Sequence, residues 1–172
     1  ENHLEWTKQE LGISLVMETM TLRGQSKTRS FSDSVTDSAA GATALACGIR
    51  TTNGGLGVYP FDMFDLVGHP VSLTELAIEK GMKTGIVTTD SNVGATPAGF
   101  SVHTDNRANG VDIVNQQINS EIDLIWSAES GVTERAAVES AGFAYINTLS
   151  QMNALQAGVR SFGQFNYDQI WR

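Results

Sequence analysis

Ser38 is the residue whose type and position could do chemistry. It follows Asp37 and precedes a run of small residues at 39–44 that favours a helix, so its hydroxyl is predicted to lie at a helix start. Unpaired amide N–H groups and the positive end of the helix dipole favour a bound anion there and would stabilise a developing alkoxide. Asp and Ser are also common helix N-caps, so capping without chemistry is the alternative interpretation.

The other residues that often carry chemistry are dispersed. Cys47 stands among small and apolar residues and is predicted to be a buried hydrophobe rather than a nucleophile. His103 has no partner at a metal-ligand spacing, so a structural role is expected for it, whereas His3 and His69 are expected in loops or on the surface. Three scattered histidines do not make a histidine-rich zinc site.

Helices alternate with short apolar strands along the chain. The helix that begins at Ser38 is predicted to run to about Cys47, where Gly48 is a suitable stop, and a second helix begins at the capping box of Ser72 and Glu75. The first predicted strand is expected to be buried, and strands are predicted at 84–89, 122–126, 143–146 and 159–165. The alternation indicates an α/β fold of three layers, α/β/α, in which helices cover both faces of a mostly parallel sheet.

Two sequence blocks resemble one family. Residues 35–57 read VTDSAAGATALACGIRTTNGGLG, and residues 85–107 read GIVTTDSNVGATPAGFSVHTDNR. The first block closely resembles the active-site signature of the alkaline phosphatases, and the second is similar to a strand and the following loop of that family. The resemblance implies an alkaline-phosphatase-like fold and a phosphate monoester hydrolase in which Ser38 is the nucleophile that becomes phosphorylated.

Further roles are implied by the resemblance, position by position. Thr96 matches the Thr or Ser that binds magnesium in the family, and Arg107 matches the Arg that clamps the phosphate, with Asp37 as the acid that orients it. A solvated loop position for Arg107 and a local turn bond for Thr96 are the structural alternatives. Gly94 departs from the family pattern, because better-known relatives carry Asp or His there, close to the magnesium ion.

The cofactors are also implied by the resemblance. A serine hydroxyl is a weak nucleophile that needs a base or a metal ion, and no histidine lies near Ser38 in the sequence. In the family two zinc ions flank the transferred phosphoryl group, one of them bound by the serine, and a magnesium ion lies nearby. Two alternatives stay open: a related phosphodiesterase or sulfatase, and a catalytically inactive fragment or structural module.

Composition excludes some partners. The chain has 172 residues, of which 41% are hydrophobic, enough for one globular domain with a core. Its formal net charge of -8 argues against nucleic acid or an anionic membrane surface as a partner. No apolar run approaches the roughly 18 residues of a transmembrane helix. The resemblance, rather than the composition, implies that the small-molecule partner is a phosphate monoester.

The resemblance covers about residues 10–165 and maps to an N-terminal portion of the family fold. We therefore expect residues 1–172 to be a partial domain that lacks the family's opening strand and the later segments that supply most zinc ligands. Such a chain is expected to be nearly inactive alone. Family members are often dimeric and exported, so the resemblance suggests a homodimer and a periplasmic or extracellular location, although the first residues show no secretory signal.

Overall fold

The computed structural model describes residues 2–22, 24, 26–60 and 68–166. The α-helices are α1 Asn2–Leu11, α2 Ser38–Cys47, α3 Leu73–Glu79, α4 Ala95–Gly99, α5 Gly110–Asn119, α6 Arg135–Ser140 and α7 Leu149–Ala154. A 3-10 turn lies at Val16–Thr19. The strands are β1 Gly85–Ser91, β2 Leu124–Ala128, β3 Ala144–Ile146 and β4 Ser161–Phe165.

The strands form one parallel sheet in the order β1-β2-β4-β3. Phe162 of β4 lies opposite Ile125 of β2 on one side and Tyr145 of β3 on the other. Helices alternate with these strands along the chain, as parallel connections require. The predicted α/β class with a parallel sheet is confirmed.

Helix α2 has the limits that its sequence predicts. The side chain of Asp37 caps it by accepting a hydrogen bond from the Ala40 N–H at 2.9 Å, and Gly48 ends it with a φ of 70°. The small residues let α4 approach closely, since a Cβ added to Gly99 would lie 2.5 Å from that of Ala42. This close packing places α2 directly against the segment that follows β1.

The main apolar core lies between one face of the sheet and helices α5 and α6. Ile125 and Phe162 are fully buried at its centre, and the ring of Phe162 meets that of Phe143 edge to face. The core consists of Val114, Ile118, Ile122, Ile125, Val138, Phe143 and Phe162. Burial of these side chains is the principal apolar contribution to holding the sheet and its helices together.

A buried polar network joins the segment after β1 to the rest of the fold. Asn92, fully buried, exchanges two hydrogen bonds of 2.9 Å with Gln117 of α5. The amide of Gln164 in β4 donates to Asn92 at 3.2 Å and to Ser127 of β2 at 2.7 Å. The network therefore fixes where the chain turns from β1 into α4.

The prediction that the first strand is buried is wrong. Along β1 the residues alternate between exposed and half-buried, and Val87 is 71% exposed. Among the described residues β1 pairs only with β2, so it is an edge strand with one side unpaired. On the sheet face opposite the core, a cavity of about 410 Å³ lies between Val87, Trp126 and Phe165 and the α7 residues Leu149 and Met152.

Within the described residues, no helix has both the length and the apolar character needed to cross a lipid bilayer.

Candidate functional site

The structure brings Asp37, Ser38 and Arg107 together. Ser38 is the first residue of α2, and Arg107 Nη1 donates hydrogen bonds to Ser38 Oγ at 3.0 Å and to Asp37 Oδ2 at 3.2 Å. About 70 residues separate these groups along the chain. The Ser38 side chain is exposed, whereas Asp37 and Arg107 are half-buried, so the hydroxyl is open to a substrate while its neighbours are held.

The carboxylate of Asp37 accepts three hydrogen bonds. It accepts hydrogen bonds from the N–H groups of Ala40 at 2.9 Å and Gly54 at 3.0 Å, in addition to the one from Arg107. Asp37 therefore has two tasks, since it caps α2 and also fixes the guanidinium beside Ser38. A charge-assisted contact of this kind orients the arginine fork toward one direction.

Asn53 also supports the segment that carries Ser38, a role that the sequence does not predict. Its side-chain oxygen accepts from the Asp37 N–H at 3.0 Å, and its side-chain nitrogen donates to the Val35 carbonyl at 3.1 Å. Asn53 thus holds the segment that leads into α2. The Asn-Gly-Gly sequence at 53–55 predicts a turn, but a turn signal does not show which distant segment the turn will bind.

Two loops are joined so that Arg107 reaches Ser38. Leu56 and Thr104 exchange backbone hydrogen bonds of 2.8 and 2.9 Å, and the Arg107 N–H donates to the Gly54 carbonyl at 3.0 Å. Thr43, fully buried in α2, ties the same loop to the helix by donating to the Gly55 carbonyl and accepting from the Gly57 N–H. The backbone hydrogen bonds between these two loops therefore determine where the Arg107 guanidinium lies.

This arrangement favours an oxyanion at Ser38. The exposed hydroxyl stands at the N-terminus of a ten-residue helix, where free N–H groups and the helix dipole favour negative charge. The Arg107 guanidinium adds a full positive charge within hydrogen-bond distance of the same oxygen. Together these groups can stabilise charge that develops on Ser38 Oγ and can bind a phosphate group next to it.

Thr96 lies on α4, a different helix from the one that carries Ser38. It is exposed on α4, beside a cavity of about 280 Å³ whose lining also includes Gly85 and Thr88 of β1. The hydrogen bonds of Asp37, Ser38 and Arg107 described above do not involve Thr96. Its assignment as a magnesium ligand stays a prediction.

The carboxylate of Asp90 occupies the space that a side chain at position 94 would fill. A Cβ built on Gly94 would overlap the carboxylate of Asp90, which lies directly against this glycine. Asp90 Oδ1 accepts from the Ser91 N–H at 2.8 Å. An acidic group therefore stands next to position 94, although the sequence carries it four residues earlier.

Two of the three histidines meet, contrary to their scattered places in the sequence. The rings of His69 and His103 stack with centroids 3.5 Å apart, and His103 Nε2 lies 3.0 Å from Glu75 Oε1. Partial burial acts to raise the pKa of Glu75, but hydrogen bonds from Ser72 and His103 outweigh it and leave the pKa below its ordinary value.

Cys47 lies at the end of α2 and is half-buried, whereas the sequence predicts a buried position. Burial, reinforced by the negative charge of Glu75, raises the pKa of its thiol to about 11. A thiol with such a pKa is almost entirely protonated at neutral pH, so Cys47 is unsuited to act as a nucleophile.

Comparison with known proteins identifies the family of the chain that carries this site. Residues 3–126 match the family model for alkaline phosphatase. An alkaline phosphatase from Schizosaccharomyces pombe is 49% identical over 86 residues, which are 50% of this chain and 15% of that protein. The resemblance seen in the two sequence blocks is thereby confirmed.

Solved structures agree with this result. A cold-active alkaline phosphatase from a psychrophilic Shewanella superposes with a TM-score of 0.74 at 30% identity, over 84% of this chain and 36% of that one. A variant of the TAB5 alkaline phosphatase with bound magnesium gives a TM-score of 0.66 at 32% identity, over 81% of this chain and 41% of that one. The chain thus spans less than half the length of these relatives.

Proposed function

Because the chain belongs to the alkaline phosphatase family, we propose that it carries the nucleophile-bearing part of a hydrolase that acts on phosphate monoesters through a phosphoserine at Ser38. The observation that carries this proposal is the position of Arg107 Nη1, which hydrogen-bonds to both Ser38 Oγ and Asp37 Oδ2. An exposed serine hydroxyl at a helix N-terminus, with an arginine fixed beside it, is suited to receive a phosphoryl group.

The proposed reaction has two displacements. Ser38 Oγ attacks the phosphorus and loses its proton to solvent, while the bond from phosphorus to the ester oxygen breaks and the alcohol leaves with a proton from water. Water then attacks the phosphoserine, the bond to Ser38 Oγ breaks, Ser38 regains a proton and inorganic phosphate is released. Arg107 holds the phosphate oxygens in both steps, and the α2 N-terminus stabilises the serine oxygen as it carries charge.

We propose the two zinc ions only for a longer protein that contains residues 1–172 together with further sequence. Beside Ser38, the described residues offer a poor zinc site, because Asp37 already accepts three hydrogen bonds and Arg107 is itself a cation. Zinc would supply activation of the nucleophile when bound, but its ligands have to come mostly from sequence other than residues 1–172.

Magnesium fits the available donors better. The Thr96 hydroxyl and the Asp90 carboxylate, which lies against Gly94, are oxygen donors of the kind that magnesium prefers. We propose these two residues as this chain's contribution to a magnesium site. Asp90 would then take the place of the acidic or histidine side chain that better-known relatives carry at position 94.

We also propose that residues 1–172 are a partial domain of a longer, exported and homodimeric phosphatase. The open edge of β1 and the exposed Val87 support the partial domain, because a parallel sheet is ordinarily covered on both faces. Export and the homodimer are proposed from the family alone. The chain alone is then expected to be nearly inactive, since it holds one serine, one arginine and few metal ligands of the proposed site.

The proposal is tested by assaying the full-length protein with p-nitrophenyl phosphate in the presence of zinc and magnesium. Ser38→Ala should abolish turnover, whereas Ser34→Ala, which changes an exposed serine four residues away, should leave it unchanged. Persistent activity in Ser38→Ala would contradict the assignment of the nucleophile. Sustained turnover by residues 1–172 alone would contradict the assignment of the metal ligands to other sequence.

A further inference from the structure

His103 is held in one orientation from several sides. Its backbone N–H donates to Gln116 Oε1 at 2.8 Å, and its carbonyl accepts from Gln116 Nε2 at 3.0 Å. The ring atom Nδ1 lies 2.6 Å from the Gly57 carbonyl oxygen, which can only accept a hydrogen bond. Nδ1 must therefore carry a proton, and Nε2 is directed at Glu75.

Glu75 is also held in one orientation by hydrogen bonds. It belongs to the capping box of α3, in which Glu75 Oε2 accepts from the Ser72 N–H at 2.7 Å while Ser72 Oγ accepts from the Glu75 N–H. The capping bond occupies one carboxylate oxygen and leaves Oε1 facing His103 Nε2 at 3.0 Å. The two facing atoms, His103 Nε2 and Glu75 Oε1, are thus both of types that bind a metal ion when they carry no proton.

His69 completes the group from a third segment. Its ring stacks on that of His103, and one ligand atom from each of His69, Glu75 and His103 lies within 4.8 Å of the others. Because the two rings are stacked, the exposed His69 ring has to rotate out of the parallel arrangement for its nitrogen to face the same ion as His103 and Glu75. Glu75 and His103 also line a cavity of about 450 Å³ that contains the further carboxylates of Glu79 and Glu121.

We propose that His69, Glu75 and His103 form a binding site for a divalent transition-metal ion of the zinc type, separate from the Ser38 site. Two imidazoles and one carboxylate are a common protein donor set for zinc, with the remaining position open to water. Tetrahedral zinc ligands lie about 3.3 Å apart, so the gap of 3.0 Å between His103 and Glu75 needs only a small change.

The surroundings of His103 support a metal ion in particular. Histidine ligands of metals ordinarily donate their second N–H to a carbonyl or carboxylate, which fixes the ring and the tautomer, and His103 does this to Gly57. The carboxylates of Glu79 and Glu121 favour a cation at the adjacent cavity. A bound ion would tie the start of α3 to the loop that bridges Leu56 and carries Arg107.

The competing arrangement is an ion pair between a protonated His103 and Glu75, which needs no metal and no contribution from His69. The two arrangements differ in what they bind. An ion pair predicts no metal affinity beyond that of isolated surface histidines, whereas the proposed site predicts stoichiometric binding that depends on all three residues.

The experiment is a titration of the purified chain with Co²⁺, followed by absorption spectroscopy and calorimetry, with displacement by Zn²⁺. We expect one Co²⁺ per chain with the visible bands of a low-coordinate ion. His69→Ala, Glu75→Gln and His103→Asn should each weaken binding about tenfold or more. The last two variants keep the capping bond to Ser72 and the donor to Gly57, and His69 is exposed, so loss of binding will not reflect unfolding.

Matched controls separate this site from others. His3→Ala removes the remaining histidine and Glu139→Gln removes a surface carboxylate on α6, and both should retain the Co²⁺ spectrum. Ser38→Ala should retain it as well, since the inference does not depend on the phosphatase proposal. Unchanged Co²⁺ affinity in His69→Ala and His103→Asn, or no saturable binding by the unmodified chain, would overturn the proposal in favour of the ion pair.

Discussion

Around Ser38 the polar groups bond to one another, whereas on the sheet face that carries Val87 the apolar side chains lie open. The first region is held by Asp37, Asn53 and the backbone bridge between Leu56 and Thr104. The second presents Val87 at 71% exposure beside a wide cavity. The contrast shows that this chain holds Ser38 in place through its own contacts, while the sheet face that carries Val87 is left partly open.

The largest expected effect concerns the two faces of the sheet. Ile125→Ala should lower the free energy of unfolding by about 2–5 kcal/mol, because Ile125 is fully buried in the main core. Val87→Ala in the same chain should cost less than about 0.5 kcal/mol, since its side chain is mostly in water. Denaturant unfolding of both variants measures the difference.

Val87→Ala should also be measured in the full-length protein and compared with its effect in residues 1–172. If added sequence covers β1, Val87→Ala should there cost about 1 kcal/mol or more, in line with the burial of an apolar side chain. An equally small cost in both proteins would mean that this face of the sheet stays exposed, and the proposed partial domain would lose its main structural support.

The next largest effect tests the role of Arg107 beside Ser38. Arg107→Ala should lower kcat/KM of the full-length protein for p-nitrophenyl phosphate about 10²-fold, as is typical when one preorganised donor to an oxyanion is removed. Arg135→Ala is the matched control, because Arg135 pairs with Glu139 on the surface of α6. Equal activity in the two variants would remove Arg107 from the phosphate site.

A pair of buried threonines tests the loop that holds the site. Thr43→Val should destabilise the chain by about 1–3 kcal/mol, because it leaves the Gly55 carbonyl and the Gly57 N–H without their partner. Thr51 is equally buried, but among the described residues its hydroxyl has no hydrogen-bond partner. Thr51→Val should therefore be neutral or stabilising, and thermal unfolding of the two variants distinguishes them.

The smallest effect concerns Cys47. With a pKa of about 11, its thiol should have about a hundredfold smaller thiolate fraction at pH 8 than a thiol with the ordinary pKa of 9.0, and should react with iodoacetamide about tenfold or more slowly. The urea-unfolded chain is the control and should react at the ordinary rate. Because the pKa is raised on folding, Cys47 should also lower stability progressively as the pH rises from 9 toward 11. Rapid alkylation of the folded chain at pH 8 would contradict this burial.

The sequence predicts local features of this fold well. The limits of α2 follow from Asp37 and Gly48, and the capping box at Ser72 begins α3, because caps and stops depend on residues within one turn. Strand order and burial are different, since they depend on which segments become neighbours. β1 has the composition of a buried strand, yet it lies at the edge of the described sheet.

The same distinction applies to the candidate site. The motif around Ser38 and the position of Arg107 are visible in the sequence through their resemblance to a family. The supporting contacts are not, because the bond of Asn53 to Asp37 and the meeting of Glu75 with His103 depend on loops brought together by the fold. Such pairs are up to tens of residues apart and leave no periodic pattern in the chain.

The most direct test of the central claim is to find the phosphorylated residue. The full-length protein is incubated with a phosphate monoester, quenched in acid and digested with trypsin, and the peptide 30–50 is fragmented by mass spectrometry. We predict phosphate on Ser38, retained in Ser34→Ala and absent in Ser38→Ala. Phosphate on a different residue, or turnover by Ser38→Ala without a phosphorylated peptide, would contradict the account.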